Sequence, residues 1–244
     1  MRVFLAGATG AIGRRLLPLL LRAGHAVTGT TRSVEKAGEL QRAGITPAVV
    51  DVYDRQGVID AMRAAQAEII IHQLTDLPQV FDPARVIASY VRNARIRTEG
   101  TRNLIAAARV ASVRRFIVQS IAFAYRQGGE PHAETHPLNL DDPVRAVTVR
   151  GAADMEQQIL GDPAVEGIVL RYGLLYGPGT WHEAPERKPA LHVDAAAHAA
   201  LLAITQGRAG IYNIADDEGI VAIEKARSAL GFDPQFRLDC DIVY

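Results

Sequence analysis

A glycine-rich segment near the amino terminus is the strongest constraint on the fold. Residues 7–13 have the sequence GATGAIG, follow an apolar run at 3–6 and precede a helical pattern that starts at Ala11. A strand, a tight glycine turn and a helix N-terminus bring backbone N–H groups close to a pyrophosphate, and the helix dipole favours the same anion. A turn that only packs a helix on a sheet is the alternative. The segment predicts a dinucleotide site with these contacts: Gly7, Thr9, Gly10, Ala11, Ile12 and Gly13.

Short apolar runs alternate with longer helical patterns along the first two thirds of the chain. We predict strands at 3–6, 26–31, 48–50, 68–72, 115–119, 167–170 and 210–215. Helices are predicted at 11–23, 34–43, 55–65, 83–111, 145–160, 192–206 and 221–230. This alternation is typical of right-handed βαβ units. The expected fold is α/β, a Rossmann-type doubly wound parallel sheet with strand order 3-2-1-4-5-6 and a seventh strand as an option.

Length and charge limit the domain organisation and the partners. With 244 residues, the chain can hold one large α/β unit with a small appendage. We expect a nucleotide-binding domain at 1–170 and a reduced substrate-binding lobe, interleaved with it, at 171–244. The formal net charge is zero, which argues against a nucleic-acid partner. No apolar run is long enough for a membrane span, and the single cysteine, Cys240, is typical of a reducing, cytoplasmic compartment.

An arginine stands at the end of the second predicted strand, where an NAD enzyme usually has an acid for the ribose 2′-hydroxyl. The guanidinium of Arg32 can pair with a 2′-phosphate, and Ser33 and Lys36 can add donors. This pattern favours NADP, with NAD as the alternative if Arg32 is only a solvated residue. Asp51 and Val52 end the third predicted strand, where the carboxylate could accept from the adenine amino group. Asp54 is the better N-cap for the next helix.

Further motifs follow the glycine turn in a fixed order. They are EGTRNL at 99–104, RFIVQS at 115–120, LRYG at 170–173, YGPG at 176–179, HVDAA at 192–196 and YNIAD at 212–216. Together they resemble the extended short-chain dehydrogenase/reductase (SDR) superfamily, in its NAD-dependent epimerase/dehydratase branch. The resemblance implies that the backbone of Gln73, Leu74 and Thr75 lies along the cofactor.

The catalytic set of that superfamily is missing. Its members use a Ser or Thr after the fifth strand and a Tyr-x-x-x-Lys on the next helix, and this sequence has no Tyr-x-x-x-Lys. Alignment with the superfamily motifs places Ile121 at the Ser position, Thr148 at the Tyr position and Ala152 at the Lys position. Arg97 takes the position of a relay Asn. Since a positioned acid or base contributes about 10²- to 10⁴-fold to a rate, the chain resembles an atypical subgroup.

Three functions remain open. The first is an NADP-dependent oxidoreductase that acts on a small apolar carbonyl or hydroxyl compound with a non-standard proton donor. The second is a non-redox isomerase or cyclase, and the third is an NADP-sensing binding protein. Tyr125 is the preferred proton donor, with Ser120 beside it, and Arg97 could polarise a carbonyl or hold a carboxylate. Each of these side chains also has a simpler structural interpretation: Tyr125 could pack under a loop, Ser120 could bond local backbone groups, and Arg97 could lie on a solvated helix face.

The predicted substrate pocket is shallow, open or completed by a partner. Its expected members are His72, Tyr172, Tyr176 and Trp181. Segments that cap the substrate in the superfamily are short here, so an exposed apolar surface could be covered by a second copy, and a homodimer is an option. No metal is expected, because the His and Glu residues between 182 and 192 lack the spacing of helical zinc ligands.

Overall fold

A seven-stranded parallel sheet with helices on both faces forms the body of the protein. The computed structural model describes residues 1–239, so Cys240 lies outside the described residues. The strand order is β3-β2-β1-β4-β5-β6-β9, which confirms the predicted order and the seventh strand. The strands are β1 (Arg2–Ala6), β2 (Ala26–Thr31), β3 (Thr46–Val49), β4 (Ile69–His72), β5 (Arg115–Ile121), β6 (Glu166–Tyr172), β7 (Leu174–Tyr176), β8 (Ala190–His192) and β9 (Gly210–Ile214).

Eight α-helices connect and cover these strands within residues 1–239. They are α1 (Ala11–Arg22), α2 (Val34–Arg42), α3 (Arg55–Ala64), α4 (Pro83–Arg95), α5 (Thr101–Ala111), α6 (Ala146–Leu160), α7 (Val193–Leu202) and α8 (Glu224–Leu230). Asp54 caps α3 by accepting from the N–H of Gly57 at 3.0 Å, as expected. No helix among the described residues is long and apolar enough to cross a bilayer.

The predicted helix at 83–111 is interrupted. A π-helical turn at Ile96–Gly100 separates α4 from α5, because the chain takes a wider turn there before it continues as an α-helix. Such turns mark functional positions more often than ordinary helix does. This one carries Arg97, which packs against α6.

A second, two-stranded sheet was not predicted. Strands β7 and β8 pair in parallel, with Leu174 opposite Ala190 and Tyr176 opposite His192. Each strand has only three residues, which is too short for the alternation of apolar and polar side chains to show in the sequence. The pair brings the loop at 177–189 beside the carboxyl ends of the main strands.

The segment after residue 170 shares its core with the segment before it. Strand β9 pairs with β6, and α7 packs on α1. At that helix contact, Arg15 donates to Asp194 through Nε at 2.5 Å and Nη2 at 3.1 Å, and both side chains are buried. Asp194 also accepts from the N–H of Leu238 at 3.1 Å. A buried ion pair thus connects the first helix to the last third of the chain.

We predict that Asp194→Ala lowers the free energy of unfolding by about 3–5 kcal/mol, because Arg15 is left as an uncompensated buried charge. Urea denaturation followed by circular dichroism measures this loss. The matched control is Asp217→Ala, which removes the partner of Arg227 at an exposed ion pair and should cost less than about 1 kcal/mol. Equal losses in the two variants would contradict the role given to the buried pair.

Candidate functional site

A large cleft opens at the carboxyl ends of the central strands. Its volume is about 1190 Å³, and it extends from the turn after β1 and the end of β2 to the loop at 177–189. In an open parallel sheet this edge, at the point where the strand order reverses, is where ligands bind. The cleft has room for a dinucleotide at one end and a small organic molecule at the other.

The glycine turn forms a close-fitting cradle at the floor of the cleft. Gly7 has φ +94°, and a Cβ on it would lie 2.8 Å from the carbonyl carbon of Gln73, so no other residue fits. The N–H of Gly7 donates to Oγ1 of Thr30 at 3.2 Å, and the N–H of Gly10 donates to the carbonyl of Gly7 at 3.1 Å. No side chain caps the start of α1, so its terminal N–H groups are available to an anion.

The predicted cofactor contacts lie together with one exception. The residues that line the cleft are Gly7, Thr9, Gly10, Ala11, Ile12, Arg32, Ser33, Asp51, Val52, Gln73, Leu74 and Thr75. Gly13 does not line it. A Cβ on Gly13 would collide with the carbonyl oxygens of Gly7 and Ala8, so this glycine lets α1 approach the turn rather than touching a ligand. The glycine cradle, the uncapped N-terminus of α1 and the segment at 73–75 that follows β4 together fit a dinucleotide.

Positive side chains gather at the end of β2. Arg32 and Lys36 line the cleft, and so does Arg14, whose Nε donates to the carbonyl of Thr9 at 3.1 Å and whose Nη2 lies 3.7 Å from Glu39. Ser33 caps α2 by accepting from the N–H of Lys36 at 3.3 Å, so its hydroxyl oxygen is already used. Asp51, two residues after the end of β3, accepts from the N–H of Tyr53 at 2.9 Å. The sequence analysis did not single out Arg14, because it lies in the first helix rather than near Arg32 in the chain.

His72 does not belong to the cleft. It is 2% exposed at the end of β4, and its Nδ1 accepts from the N–H of Leu74 at 3.2 Å. Burial, and then the charge of Arg97, lower the pKa of His72 to about 3, so the ring is neutral at physiological pH. The prediction that His72 contacts substrate is therefore corrected. It supports the backbone of the segment that lines the cleft.

The positions of the usual catalytic groups are occupied by side chains that cannot replace them. Ile121 and Ala152 are apolar and buried. Thr148 is also buried, and both its carbonyl and its hydroxyl oxygen accept from Nη1 of Arg97, at 2.9 and 2.6 Å. The pair of Arg97 and Thr148 lines the cleft. Sequence reasoning noted each residue as a replacement but did not predict the contact between them.

Tyr125 and Ser120 also line the cleft, but their hydroxyls are bonded inward. Tyr125 donates to Oδ1 of Asn213 at 2.6 Å and accepts from Nη1 of Arg171 at 2.8 Å. Burial raises the pKa of Tyr125, and Arg171 opposes that shift. Ser120 donates to Glu156 at 2.5 Å. Because each hydroxyl proton is already bonded away from the cleft, this geometry does not suit Tyr125 or Ser120 as proton donor.

A buried ion pair holds those hydroxyls in place. Arg171 donates to both oxygens of Glu156, at 2.9 and 2.6 Å. Neither Glu156, Arg171 nor Asn213 appeared among the candidates from the sequence. Their signal was weak, because a charged residue in a strand or helix pattern is usually a solvated one, and only the fold brings these three together.

Three predicted pocket residues lie along the cleft wall. Tyr172 is 1% exposed, and its hydroxyl donates to the carbonyl of Ala196 at 3.2 Å. Tyr176 is half-buried and stacks edge-on against His192. Trp181 meets Phe81 with ring centroids 5.4 Å apart, and its Nε1 donates to the carbonyl of Pro78 at 2.8 Å. These contacts join the loop at 177–189 to the loop between β4 and α4, and both loops line the cleft.

No cluster of three or more metal-ligating side chains occurs among residues 1–239. His182, Glu186 and His192, which are of the types that bind metals, make other contacts. His182 pairs with Glu186 at 2.8 Å, and Nδ1 of His192 accepts from the N–H of Asp194 at 3.2 Å.

Comparison with known proteins identifies the family. A family model described as "NAD(P)H-binding" matches residues 7–161, which include the glycine cradle and α6. The chain belongs to this NAD(P)H-binding family. The match agrees with membership in the extended SDR superfamily, as the motifs implied. A curated relative, the "3-diazoavenalumate denitrifying reductase" of a Streptomyces species, is 39% identical over 240 residues, which cover 89% of this chain and 77% of that protein.

Solved structures of other SDR enzymes share the fold of this NAD(P)H-binding protein. UDP-glucose 4-epimerase of Thermotoga maritima, solved with UDP-glucose, superimposes with a TM-score of 0.79 at 18% identity and covers 97% of this chain and 94% of its own. The Thermus thermophilus UDP-glucose 4-epimerase, in complex with NAD, gives a TM-score of 0.75 at 20% identity over 98% and 95%. Identities this low establish the Rossmann-type fold alone.

Proposed function

We propose that the chain is an NADPH-dependent reductase of a small organic substrate that lies in the half of the cleft near Arg97 and Trp181. The observation that carries the proposal is a dinucleotide cradle continuous with a cavity that is large enough for both molecules. The 39% identity to a reductase supports the same reaction class. Residues 1–170 would supply the cofactor site, and 171–244 would supply the loops that cover the substrate.

The occupants of the usual proton-donor positions indicate what kind of acceptor fits. Ile121, Thr148 and Ala152 provide no acid, and the hydroxyls of Tyr125 and Ser120 are bonded inward. An acceptor that needs no protein proton suits such a site, and the name of the Streptomyces relative describes reduction of a diazo compound. Bound NADPH would supply a hydride, so at a diazonium carbon a C–H bond forms, the C–N bond breaks, N₂ leaves with the bonding electrons and the nicotinamide becomes NADP⁺.

The residues of the chain then act by binding, orienting and excluding water. The cradle and the N-terminus of α1 would hold the pyrophosphate, and the backbone of Gln73, Leu74 and Thr75 would run beside the cofactor. The rings of Phe81 and Trp181 would shield the reacting carbon on the open side. Shielding matters because a reactive acceptor is lost to hydrolysis where water has access.

We predict that the protein reduces 4-carboxybenzenediazonium to benzoate in the presence of NADPH. Reduction of 4-carboxybenzaldehyde should be at least about 100-fold slower, because its alkoxide must be protonated and a positioned acid contributes about 10²- to 10⁴-fold to a rate. Mass spectrometry of benzoate formed from NADPH deuterated at C4 on one face or the other measures the transfer. Label from one face only is expected, because a fixed site presents a single face.

Controls separate the alternatives. Reaction without protein, or with a Gly13→Val variant whose cradle cannot close, gives the spontaneous rate. Efficient aldehyde reduction with no transfer to the diazonium carbon would overturn the acceptor class. A product formed without oxidation of NADPH would instead favour the isomerase or cyclase, and tight NADPH binding without any turnover would favour the binding protein.

The choice of NADPH over NADH rests on the side chains at the end of β2. Arg32 and Lys36 line the cleft there, and no carboxylate takes the place of Arg32, whereas the guanidinium of Arg14 already lies 3.7 Å from Glu39. A guanidinium pairs with a phosphate through two parallel N–H bonds, which a ribose hydroxyl cannot match. Arg32 and Lys36 therefore favour a 2′-phosphate.

We predict that Arg32→Ala weakens NADPH binding by about 10- to 100-fold, the equivalent of roughly 1.5–3 kcal/mol for a charge-assisted contact, and changes NADH binding little. Titration calorimetry at fixed ionic strength measures both affinities. Arg42→Ala, an exposed arginine on the same helix as Lys36, is the control and should change neither. Tighter binding of NADH than NADPH to the unmodified chain would reverse the assignment.

A second copy of the chain is proposed to cover an apolar face of α4 and α6. Ile87 and Val91 are 51% and 65% exposed one turn apart on α4, and Val144 and Val147 are exposed beside the start of α6. The two helices pack side by side. Exposed apolar side chains on two adjacent helices are typical of an interaction site.

We predict a dimer that the double variant Ile87→Glu/Val91→Glu converts to monomer, because two carboxylates cannot be buried against the apolar face of a partner. Light scattering coupled to gel filtration gives the mass. The control, Val34→Glu, changes a valine that is 78% exposed on α2 and should leave the dimer intact. A monomeric unmodified protein would refute this proposal.

A further inference from the structure

One buried cation in the cleft has no anionic partner. Arg97 is 8% exposed, and two of its hydrogen bonds run from Nη1 to the oxygens of Thr148. A guanidinium has five N–H donors, so most of its capacity is left for another acceptor. Asn93, Ile96, Ile121 and Phe123 line the same cleft.

The other buried arginines are paired. Among residues 1–239 three arginines are buried, and two of them form bidentate contacts, Arg15 with Asp194 and Arg171 with Glu156. Arg145, which also lines the cleft, is held by Asp142 at 2.7 Å. Within the described part of the chain, Arg97 makes no ion pair. Burial of an uncompensated charge is costly, so a chain keeps it only where something else repays the cost.

The groups around Arg97 do not neutralise it. Glu156 is close enough to favour its charge, but both carboxylate oxygens accept from Arg171 and one also accepts from Ser120. His72 is neutral. Burial lowers the pKa of Arg97 to about 10, which still leaves the guanidinium charged at neutral pH. Two guanidiniums therefore share one carboxylate, and the excess is one positive charge.

We propose that Arg97 binds a carboxylate of the substrate, through the guanidinium nitrogens that Thr148 leaves free. The inference rests on the proposed function, because it takes this half of the cleft as the place where the substrate lies. One excess charge matches a carboxylate better than a doubly charged phosphate, and the planar fork of arginine fits two carboxylate oxygens. Thr148 is then a positioning residue, because it fixes one edge of the guanidinium and turns the other towards the cavity.

Calorimetry with matched ligands tests the site without turnover. In protein saturated with NADP⁺, cinnamate should bind about 10- to 100-fold more tightly than the uncharged cinnamamide, the range expected for one charge-assisted contact. Arg97→Met should remove this difference, and Arg97→Lys should keep part of it. Arg102→Met, at an exposed arginine on α5 outside the cleft, is the control and should keep the full difference.

A stability measurement separates a binding role from a structural one. If Arg97 serves a ligand, Arg97→Met should unfold at the same or a higher urea concentration than the unmodified chain when no ligand is present, since a buried unpaired charge is removed. A large loss of stability with the cinnamate preference intact would show a structural role and overturn the proposal.

Other outcomes are also decisive. Equal binding of cinnamate and cinnamamide to the unmodified protein, or no cinnamate binding, would overturn the proposal. A proportional loss of NADP⁺ affinity in Arg97→Met would assign Arg97 to the cofactor instead. The reductase proposal can fail separately. If no deuterium from NADPH appears in benzoate formed from 4-carboxybenzenediazonium while the carboxylate preference holds, the carboxylate site stands and the reaction class does not.

Discussion

The buried contact between Arg171 and Glu156 is the interaction on which the site depends. It joins the end of β6 to the middle of α6 through two hydrogen bonds and collects the hydroxyls of Ser120 and Tyr125 around it. Helix α6 carries Thr148, which lines the cleft, so the pair helps to fix the position of Thr148. Such a pair is poor as a source of net stability, because desolvation offsets most of the attraction. Its contribution is to hold α6 in one position against the sheet.

The same pair explains why the hydroxyls of Ser120 and Tyr125 do not donate into the cleft that they line. A hydroxyl that donates to a buried carboxylate or amide oxygen has its proton already bonded, and turning it outward would leave a buried acceptor unsatisfied. Tyr125 and Ser120 are both in this situation. The cofactor half, by contrast, relies on backbone N–H groups and a helix terminus, which need no particular side chain. Cofactor binding and proton transfer therefore depend on separate parts of this fold.

Sequence reasoning succeeded where a local pattern fixes the geometry. The glycine turn, the strand order and the N-cap at Asp54 each depend on residues that are neighbours in the chain or on rules that hold for all parallel sheets. It was less successful where the partner is distant. Tyr125 follows a strand, but its hydroxyl is directed by Asn213, 88 residues away. His72 ends a strand at the correct edge of the sheet, but it is buried and does not line the cleft.

The contact between Arg97 and Thr148 limits how this site can change by substitution. A tyrosine at position 148 would need the space and the hydrogen-bonding direction that the guanidinium now occupies, so that single step would displace Arg97 before it offered a usable hydroxyl. A lysine at position 152 would enter a region that already carries excess positive charge. The usual SDR proton relay could therefore be built here only by changes at several positions together. The π-helical turn that presents Arg97 is in this way a constraint on which single substitutions the site can accept.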